Sequence, residues 1–341
     1  MDGLYIGLDV SDKVTHICCV DYLGKVIWCG EAATDPEALA SKLKKHCKTI
    51  TRIVLETGSL SSFLYHGLNE RGLPVTCVCA RHAKGVLSVQ TNKSDVHDAE
   101  GLANLARTGW FKAVHIKDTQ THLHRARLKI REQLVKAHGA MRNQMRGLLK
   151  LFGLRLGVVN TPNKRNERLL MLFAQKPELA EIMKPLMDAL AALEVQIKVA
   201  THELTKRATS DPVCERLMSV PGVGPITALT FINSIEDPAR FSRSSDVGAY
   251  AGLAPRRFQS GERDNKGHIS KFGDGQLRST LYEAANNLLS RVKRPFPLQT
   301  WGKALVQTKG AKRARVAVAR KLATLLHSLW RSGEKFKWET A

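Results

Sequence analysis

The sequence is poor in acid. Its 341 residues hold 31 Asp and Glu against 53 Lys and Arg, a formal net charge of +22. Solubility needs far less than that, and the excess points to a polyanionic partner, most simply DNA or RNA. Long apolar runs are missing as well. None approaches the roughly 20 residues that cross a bilayer. The start, MDGLYIGLDV, lacks the basic stretch that opens a signal peptide. No membrane partner and a cytoplasmic location are therefore expected. The seven cysteines are odd in number and form no CxxC pair. That argues against a disulfide framework and a zinc site, and reduced, buried thiols are expected. Internal repeats and low-complexity tracts are absent too.

What is present falls into three stretches, and the length allows more than one domain with a sizeable core. Residues 1–115 read as α/β. LYIGLDV is an apolar run ending in an acid, and THICCVDYLGKVIWCG holds two strands around a Leu-Gly-Lys turn. PEALASKLKKH, SSFLYHGLNERG, AKGVLSVQ and DVHDAEGLANLARTG have helical spacing, and TRIVLET and PVTCVCA read as strands. A hairpin followed by alternating helix and strand gives a mixed sheet with helices packed on it.

Residues 116–208 carry two near-heptad series. Ile130, Leu134, Ala137, Met141, Met145 and Leu148 form one; Leu186, Leu190, Leu193, Ile197, Ala200 and Leu204 form the other. They predict two long antiparallel helices or a coiled-coil dimer arm, with VVNTPNKRN as a loop between them and Pro177 and Pro185 starting or kinking the second helix. From Leu123 to Lys150 the first helix has eight Lys or Arg against one acid, Glu132. Such a face is either solvated or a rail for nucleic acid. Residues 209–335 read as mostly helical.

Asp9 ends LYIGLDV and Glu56 ends TRIVLE. In a parallel pair of strands both carboxylates emerge at one sheet edge. Asp95 and Asp98, three apart at a helix start, share a face. Converging carboxylates repel unless neutralised. Mg²⁺ or Mn²⁺, hard ions that take oxygen ligands, would do that, and two such ions can polarise a phosphodiester. Taken alone, Asp95 reads equally well as a helix cap, and Asp12 and Glu100 read as surface charges. IGLDVS, LETG and NKSDVHDAEGLA, in that order, resemble the N-terminal domain of the DEDD-type insertion-sequence transposases, a domain similar to the RNase H-like Holliday-junction resolvases. The resemblance places Asp9, Glu56, Asp95 and Asp98 on the family's metal-binding acids. Ser94 stands where a threonine is more usual.

In VPGVGPITA, Gly222 and Gly224 flank an apolar residue before a helix. The pattern resembles a helix-hairpin-helix, whose backbone N–H groups meet phosphate; a plain Pro-Gly turn fits as well. The stretch RRFQSGERDNKGHISKFGDGQLR, residues 256–278, is rich in glycine, lysine and arginine and is expected to be a flexible basic loop. Its Ser260 is either a turn-former or a nucleophile. AYAGLAP, the pair Arg256 and Arg257, the Ser-Gly step, Gly-His-Ile-Ser-Lys and the final Leu-Arg together resemble the signature of the same family's C-terminal domain. That resemblance makes Ser260 the nucleophile. Arg256, Arg257, Arg263, Lys266 and Lys271 would hold the scissile phosphate and stabilise the transition state, and Gly261 would let backbone approach it.

The resemblance spans nearly the whole chain. It implies an RNase H-like mixed sheet with helices, a long coiled-coil middle and a mostly helical C-terminal serine domain. It further implies recombination of donor and target DNA through an excised circle, guided by a structured bridge RNA, by a homodimer or tetramer. Base pairing would then carry specificity while protein reads backbone and shape. Two other readings stand beside it. A metal-dependent nuclease of the Holliday-junction resolvase type would need the acids and not Ser260. A non-catalytic nucleic-acid binder would need neither.

Overall fold

The computed structural model describes residues 3–87, 94–159 and 161–338, with backbone alone at Val86 and Lys266. Residues 88–90 of the expected helix AKGVLSVQ, Asn92 and Lys93 of NKSDVHDAEGLA, Asn160, and the Lys266 side chain therefore lie outside the described residues. The chain forms two compact units, Met1–Asp118 and Thr119–Ala341.

The first unit is built on β1 (Leu4–Val10), β2 (Val14–Val20), β3 (Val26–Ala33), β4 (Ile50–Glu56) and β5 (Val75–Val78), in the order β3-β2-β1-β4-β5. β1, β2 and β3 run antiparallel, whereas β1, β4 and β5 run parallel. This is the mixed, RNase H-like sheet that the sequence predicts. Tight turns join the antiparallel strands. Parallel strands need crossovers, and α1 (Pro36–His46) and α2 (Ser61–Glu70) supply them. Asp35 caps α1 by accepting from the Glu37 and Ala38 amides, with Pro36 in the first turn. Ile6, Leu8, Ile53 and Leu55 pack on Leu39, Leu43, Leu64 and Leu68 of these two helices. The opposite face is covered by α4 (Asp95–Thr108), which follows α3 (Ala80–Leu87). A strand covered on both faces reads as an unbroken apolar run, which is why LYIGLDV shows no alternation. All seven cysteines are free, but the expectation that all are buried fails at two. Cys29 is exposed because β3 is an edge strand, and Cys79 is half-buried.

The second unit opens with α5 (Thr119–Leu151) and α7 (Pro177–Ser210). Arg131 donates to Thr201 and His138 meets Glu194, so the two helices run antiparallel within one chain. Pro177 stands in the first turn of α7 and Pro185 inside it. The apolar seam closes at its ends. Leu128 and Leu204 join one core, and Met145, Leu149 and Leu190 join another. Between them Leu134, Ala137, Leu193 and Ile197 are half-buried, and Ile130 is 60% exposed.

Two expectations are corrected here. VVNTPNKRN is only partly loop, because α6 (Pro162–Phe173) begins inside it. Thr161 accepts from the Lys164 amide and Pro162 takes the first turn, a start signal that the surrounding polar residues masked. The basic stretch 256–278 is not an irregular loop. It contains an antiparallel hairpin of β6 (Pro255–Ser260) and β7 (Arg263–Ile269). Every residue of β6 is exposed, so neither face is buried and no alternation betrays the strand. Helices surround the hairpin in sequence: α8 (Pro212–Met218), α9 (Pro225–Ile235) and α10 (Asp246–Tyr250) before it, α11 (Gly275–Ser290), α12 (Pro297–Lys309) and α13 (Ala311–Ser332) after it. Phe231, Leu281, Ala285, Leu322 and Leu326 lie in their common core.

Candidate functional site

The acids of the first unit gather at one sheet edge and on one face. A Cβ on Gly7 would lie 2.0 Å from the Ala99 carbonyl oxygen and 2.3 Å from the Ala103 amide, so α4 rests directly on β1 there. Asp9 is two residues on and shares that face. On β4, Val54 packs on Leu102 and Leu105 of α4, and Glu56, two residues on, also faces the helix. Gly7 is the register partner of Val54, so Asp9 and Glu56 stand side by side where the strands end. Both line a small cleft of about 180 Å³ with Asp12 and the loop 57–61. Asp12 was read from the sequence as an ordinary surface charge.

The start of α4 straddles the same edge. Ser94 caps it by accepting from the His97 amide. Asp95 lies one turn before Ala99, which packs with Cys18 and Val20 of β2. Its carboxylate is 3.6 Å from His16 Nε2, and His16 is the register partner of Asp9. Asp98 lies one turn before Leu102, on the side of β4. The order β2-β1-β4 thus presents Asp95 with His16, then Asp9, then Glu56 with Asp98 above it. Among the described residues no three His, Cys, Asp or Glu side chains are close enough together to hold a metal ion. The donor set is nonetheless all carboxylate oxygen, the chemistry that suits Mg²⁺ or Mn²⁺ and not a soft ion.

Ser260 ends β6 at the tip of the hairpin, directly opposite Arg263. The turn is Gly261-Glu262, with Gly261 at φ +55°. The Ser260 side chain is exposed and makes no hydrogen bond among the described residues. Arg257 donates to Asp264 at 2.8 Å. Arg256 lies over the Phe272 ring at 4.9 Å, a cation–π contact near the root of the hairpin. At about 3.3 Å per strand residue, Arg256 is roughly 13 Å from the serine. Lys271 is also at the root, held by its amide on the Gly252 carbonyl at φ +54°, a backbone conformation that costs energy outside glycine. Of the five predicted phosphate ligands, only Arg263 is therefore placed beside Ser260; the Lys266 side chain is outside the described residues.

The root itself is tightly packed. A Cβ on Gly252 would meet the Phe272 carbonyl oxygen at 2.0 Å, and one on Gly273 would meet that of Tyr250 at 1.9 Å. AGLAP and KFGDG are therefore pressed backbone to backbone, which accounts for Gly252 and Gly273.

Comparisons with known proteins identify the family. Residues 214–299 match the profile described as Transposase IS116/IS110/IS902 family, and residues 6–153 match a second transposase profile, of the DEDD IS110 type. The chain is similar to the transposase for insertion sequence element IS1111A of Coxiella burnetii, 30% identical over 339 residues, covering 97% of this chain and 91% of that one. The chain belongs to the IS110/IS116 transposase family. It is also similar to the "Probable family 20 transposase" of Pseudomonas aeruginosa, 28% identical over 286 residues (81% and 83% of the two chains). The transposase for IS1328 of Yersinia enterocolitica is 25% identical over 332 residues (97% and 98%). The protein is thus an enzyme, a DNA transposase.

In this transposase the glycines of VPGVGPITA lie between α8 and α9 and differ in role. Gly222 has φ +89°, and a Cβ there would sit 3.0 Å from the Ala284 carbonyl oxygen and Leu288 of α11. It is a packing glycine. Gly224 precedes α9 with nothing within 4 Å of a built Cβ. Sequence reasoning missed three side chains that set the transposase's geometry. His16 escaped because a strand histidine carries no signal until its register with Asp9 is known. Arg125 and Ser234 escaped because they are distant in sequence from Asp274, the residue they meet. Asp274 carried a readable cap signal, Asp before Gly-Gln-Leu, and its side chain accepts from the Gln276 and Leu277 amides. Among the described residues, no helix is long and apolar enough to cross a membrane.

Proposed function

We propose that this transposase cuts and rejoins donor and target DNA with Ser260 as nucleophile and with Asp9, Glu56, Asp95 and Asp98 as its metal-binding acids. An element-encoded bridge RNA guides it, and it works in the bacterial cytoplasm as a dimer or tetramer. The observation that carries the reading is the placement of Ser260. A turn-forming serine hydrogen-bonds its own backbone; this one is exposed, unbonded among the described residues, opposite an arginine, and at the tip of a hairpin with a packed root.

The chemistry follows from the residues. The Ser260 hydroxyl gives up its proton as its oxygen bonds to phosphorus, and the phosphorus–oxygen bond to the deoxyribose breaks. The departing oxygen takes a proton. Attack by a strand-end hydroxyl on the serine phosphodiester reverses the bonding and frees Ser260. Arg263 offsets charge that develops on the phosphoryl oxygens. Arg256 and Lys271, at the root, serve phosphates farther along the strand. Gly224, open around its Cα, suits an approach to DNA backbone between α8 and α9. Asp9, Glu56, Asp95 and Asp98 would hold Mg²⁺ or Mn²⁺, which when bound supplies Lewis-acid polarisation of a phosphodiester oxygen. The net charge of +22 and the sequence resemblance support an RNA partner beside DNA. The domain reading is an acidic domain over residues 1–115, an assembly region over 116–208 and a serine domain over 209–335.

The test is to express the protein with its complete element and a target plasmid, denature, and look for DNA still attached to protein. Wild type is expected to give an adduct and Ser260→Ala none. An adduct in both variants would assign another nucleophile. Cleavage that needs Asp9 but survives Ser260→Ala would favour a hydrolytic nuclease. Supplying protein without the element's noncoding segment is expected to abolish recombination and leave salt-dependent DNA binding in place.

A further inference from the structure

The open middle of the α5/α7 pair is a cleft of about 1070 Å³, walled by α5, α7 and the start of α6. A seam of heptad residues normally closes along its length. Here it closes at both ends, and between them Leu134, Ala137, Leu193 and Ile197 stay half-buried beside the polar contacts Arg131–Thr201 and His138–Glu194. Glu194 of α7 receives both terminal nitrogens of Arg165 and the Nε2 of His138. Arg165 is 5% exposed, and its Nε has no acceptor among the described residues. A buried donor left unpaired costs free energy, as does burying an ion pair. Simple packing of two helices needs neither.

The rest of the lining says what would fill the cleft. Val135, Val195 and Ile197 are apolar lining residues, with Val195 and Ile197 on opposite sides of the cleft-facing edge of α7. Around them stand three permanent cations, Arg142, Arg165 and Lys198, and two histidines, His138 and His202. Among the described lining residues the only acid is Glu194, already occupied by Arg165. The cleft is therefore net positive and part apolar. A second copy of this strongly basic chain is a poor electrostatic match for it. A bare phosphate leaves most of its volume and its apolar lining unused. A nucleotide matches both halves: an anionic phosphate and a flat, largely apolar ring.

We propose that this cleft binds an unpaired nucleotide of a nucleic-acid strand, with its phosphate on Arg142 and Lys198 and its base held between the apolar lining residues Val135, Val195 and Ile197. Aliphatic and aromatic walls that take a base out of its stack are a general means of holding single-stranded nucleic acid. The site lies wholly within the second unit and is independent of the role of Ser260.

The probe is a short single-stranded oligonucleotide, as DNA and as RNA, bearing iodouracil for photochemical cross-linking to the full-length protein. Cross-links are expected in residues 135–142 and 191–202, read by mass spectrometry. Val195 is 58% exposed, so Val195→Trp should fold while blocking the cleft. It is expected to lower cleft cross-linking by about tenfold or more, the effect of losing one good contact. Lys198→Ala is expected to act in the same direction, and circular dichroism checks both folds. Competition by free uridine monophosphate would assign the cleft to free nucleotide as well; competition by oligonucleotide alone would assign it to a strand. Cross-links confined to other segments, or unchanged in both variants, would overturn the proposal. So would a Val195→Trp protein whose assembly mass falls while its cross-links persist, since the cleft would then be an interface between copies.

Discussion

Arg125 meets Asp274 at 2.7 Å, with both side chains less than one-fifth exposed, at 17% and 12%. Ser234 bridges them, accepting from Arg125 at 3.1 Å and donating to Asp274 at 2.9 Å. Asp274 also caps α11, so one carboxylate ties the start of α5, the end of α9 and the start of α11 together. The hairpin with Ser260 ends a few residues earlier. The position of its root depends on this junction.

Replacing Asp274 by asparagine keeps a cap but strands the Arg125 charge. Burial by itself pushes the Asp274 carboxyl up; the Arg125 guanidinium, the Leu277 amide and the Ser234 hydroxyl outweigh it and hold the group below the usual carboxylate range. A lowered folded value means the stabilisation is present above the unfolded value, about 3.9, and is lost as pH falls through the folded one. Asp274→Asn is therefore expected to cost roughly 3 kcal/mol at neutral pH, the low end for breaking a buried pair. The gap between variant and wild type should close as pH drops below about 4. Urea unfolding across pH measures it, and equal midpoints at neutral pH would contradict it.

The two glycines between α8 and α9 should separate fold from function. Gly222→Ala forces a side chain into φ +89° and against the Ala284 carbonyl oxygen at 3.0 Å. A loss of about 1–3 kcal/mol is expected. Gly224→Ala meets nothing within 4 Å at φ −106° and should leave the melting temperature nearly unchanged. A drop in DNA affinity for Gly224→Ala alone would support backbone approach to DNA at this turn. No drop would leave the turn a structural connection.

The sequence was most informative where burial is two-sided or a cap is local. Asp9 and Glu56 were legible because each stops an apolar run, and α4 because its spacing and first-turn acids mark it, although the cap is Ser94 and not Asp95. The β6–β7 hairpin was not legible: without a buried face, nothing imposes a period of two. The α6 start was present in Thr161 and Pro162 but was obscured by polar neighbours. The Arg125–Asp274 and Arg165–Glu194 pairs are tertiary facts that no local pattern encodes. For Glu194, burial pushes the carboxyl up, yet Arg165 and His138 together hold it below its ordinary range. That balance exists only after α5, α6 and α7 have met.

Gly7→Ala tests the seat of the acids. The added Cβ would lie 2.0 Å from the Ala99 carbonyl oxygen, an overlap that only a shift of α4 relieves. Asp95 and Asp98 ride on that helix, so they should move away from Asp9 and Glu56. The expected result is lost recombination with a stability cost of about 1–3 kcal/mol, the range for overpacking. Hydrogen exchange should report faster opening along α4, with α11 unaffected. Normal recombination by this variant would show that the four acids need no common seat.

Ser260→Ala and Asp9→Asn should part along chemistry rather than stability. Ser260 is exposed and unbonded among the described residues, so its hydroxyl adds little to the folded state. The change in unfolding free energy should stay within about 0.5 kcal/mol, as for surface substitutions, and DNA affinity should hold while recombination is lost. Asp9 lines the sheet-edge cleft beside Glu56, and asparagine keeps its shape without the charge. Asp9→Asn is expected to keep the fold and to abolish cleavage at any Mg²⁺ or Mn²⁺ concentration. Wild type should lose cleavage in a chelator and regain it on adding either ion. If Asp9→Asn still forms the protein–DNA adduct, the acids act after the serine step rather than in it. Absence of both adduct and cleavage would place the acids in the step that Ser260 performs.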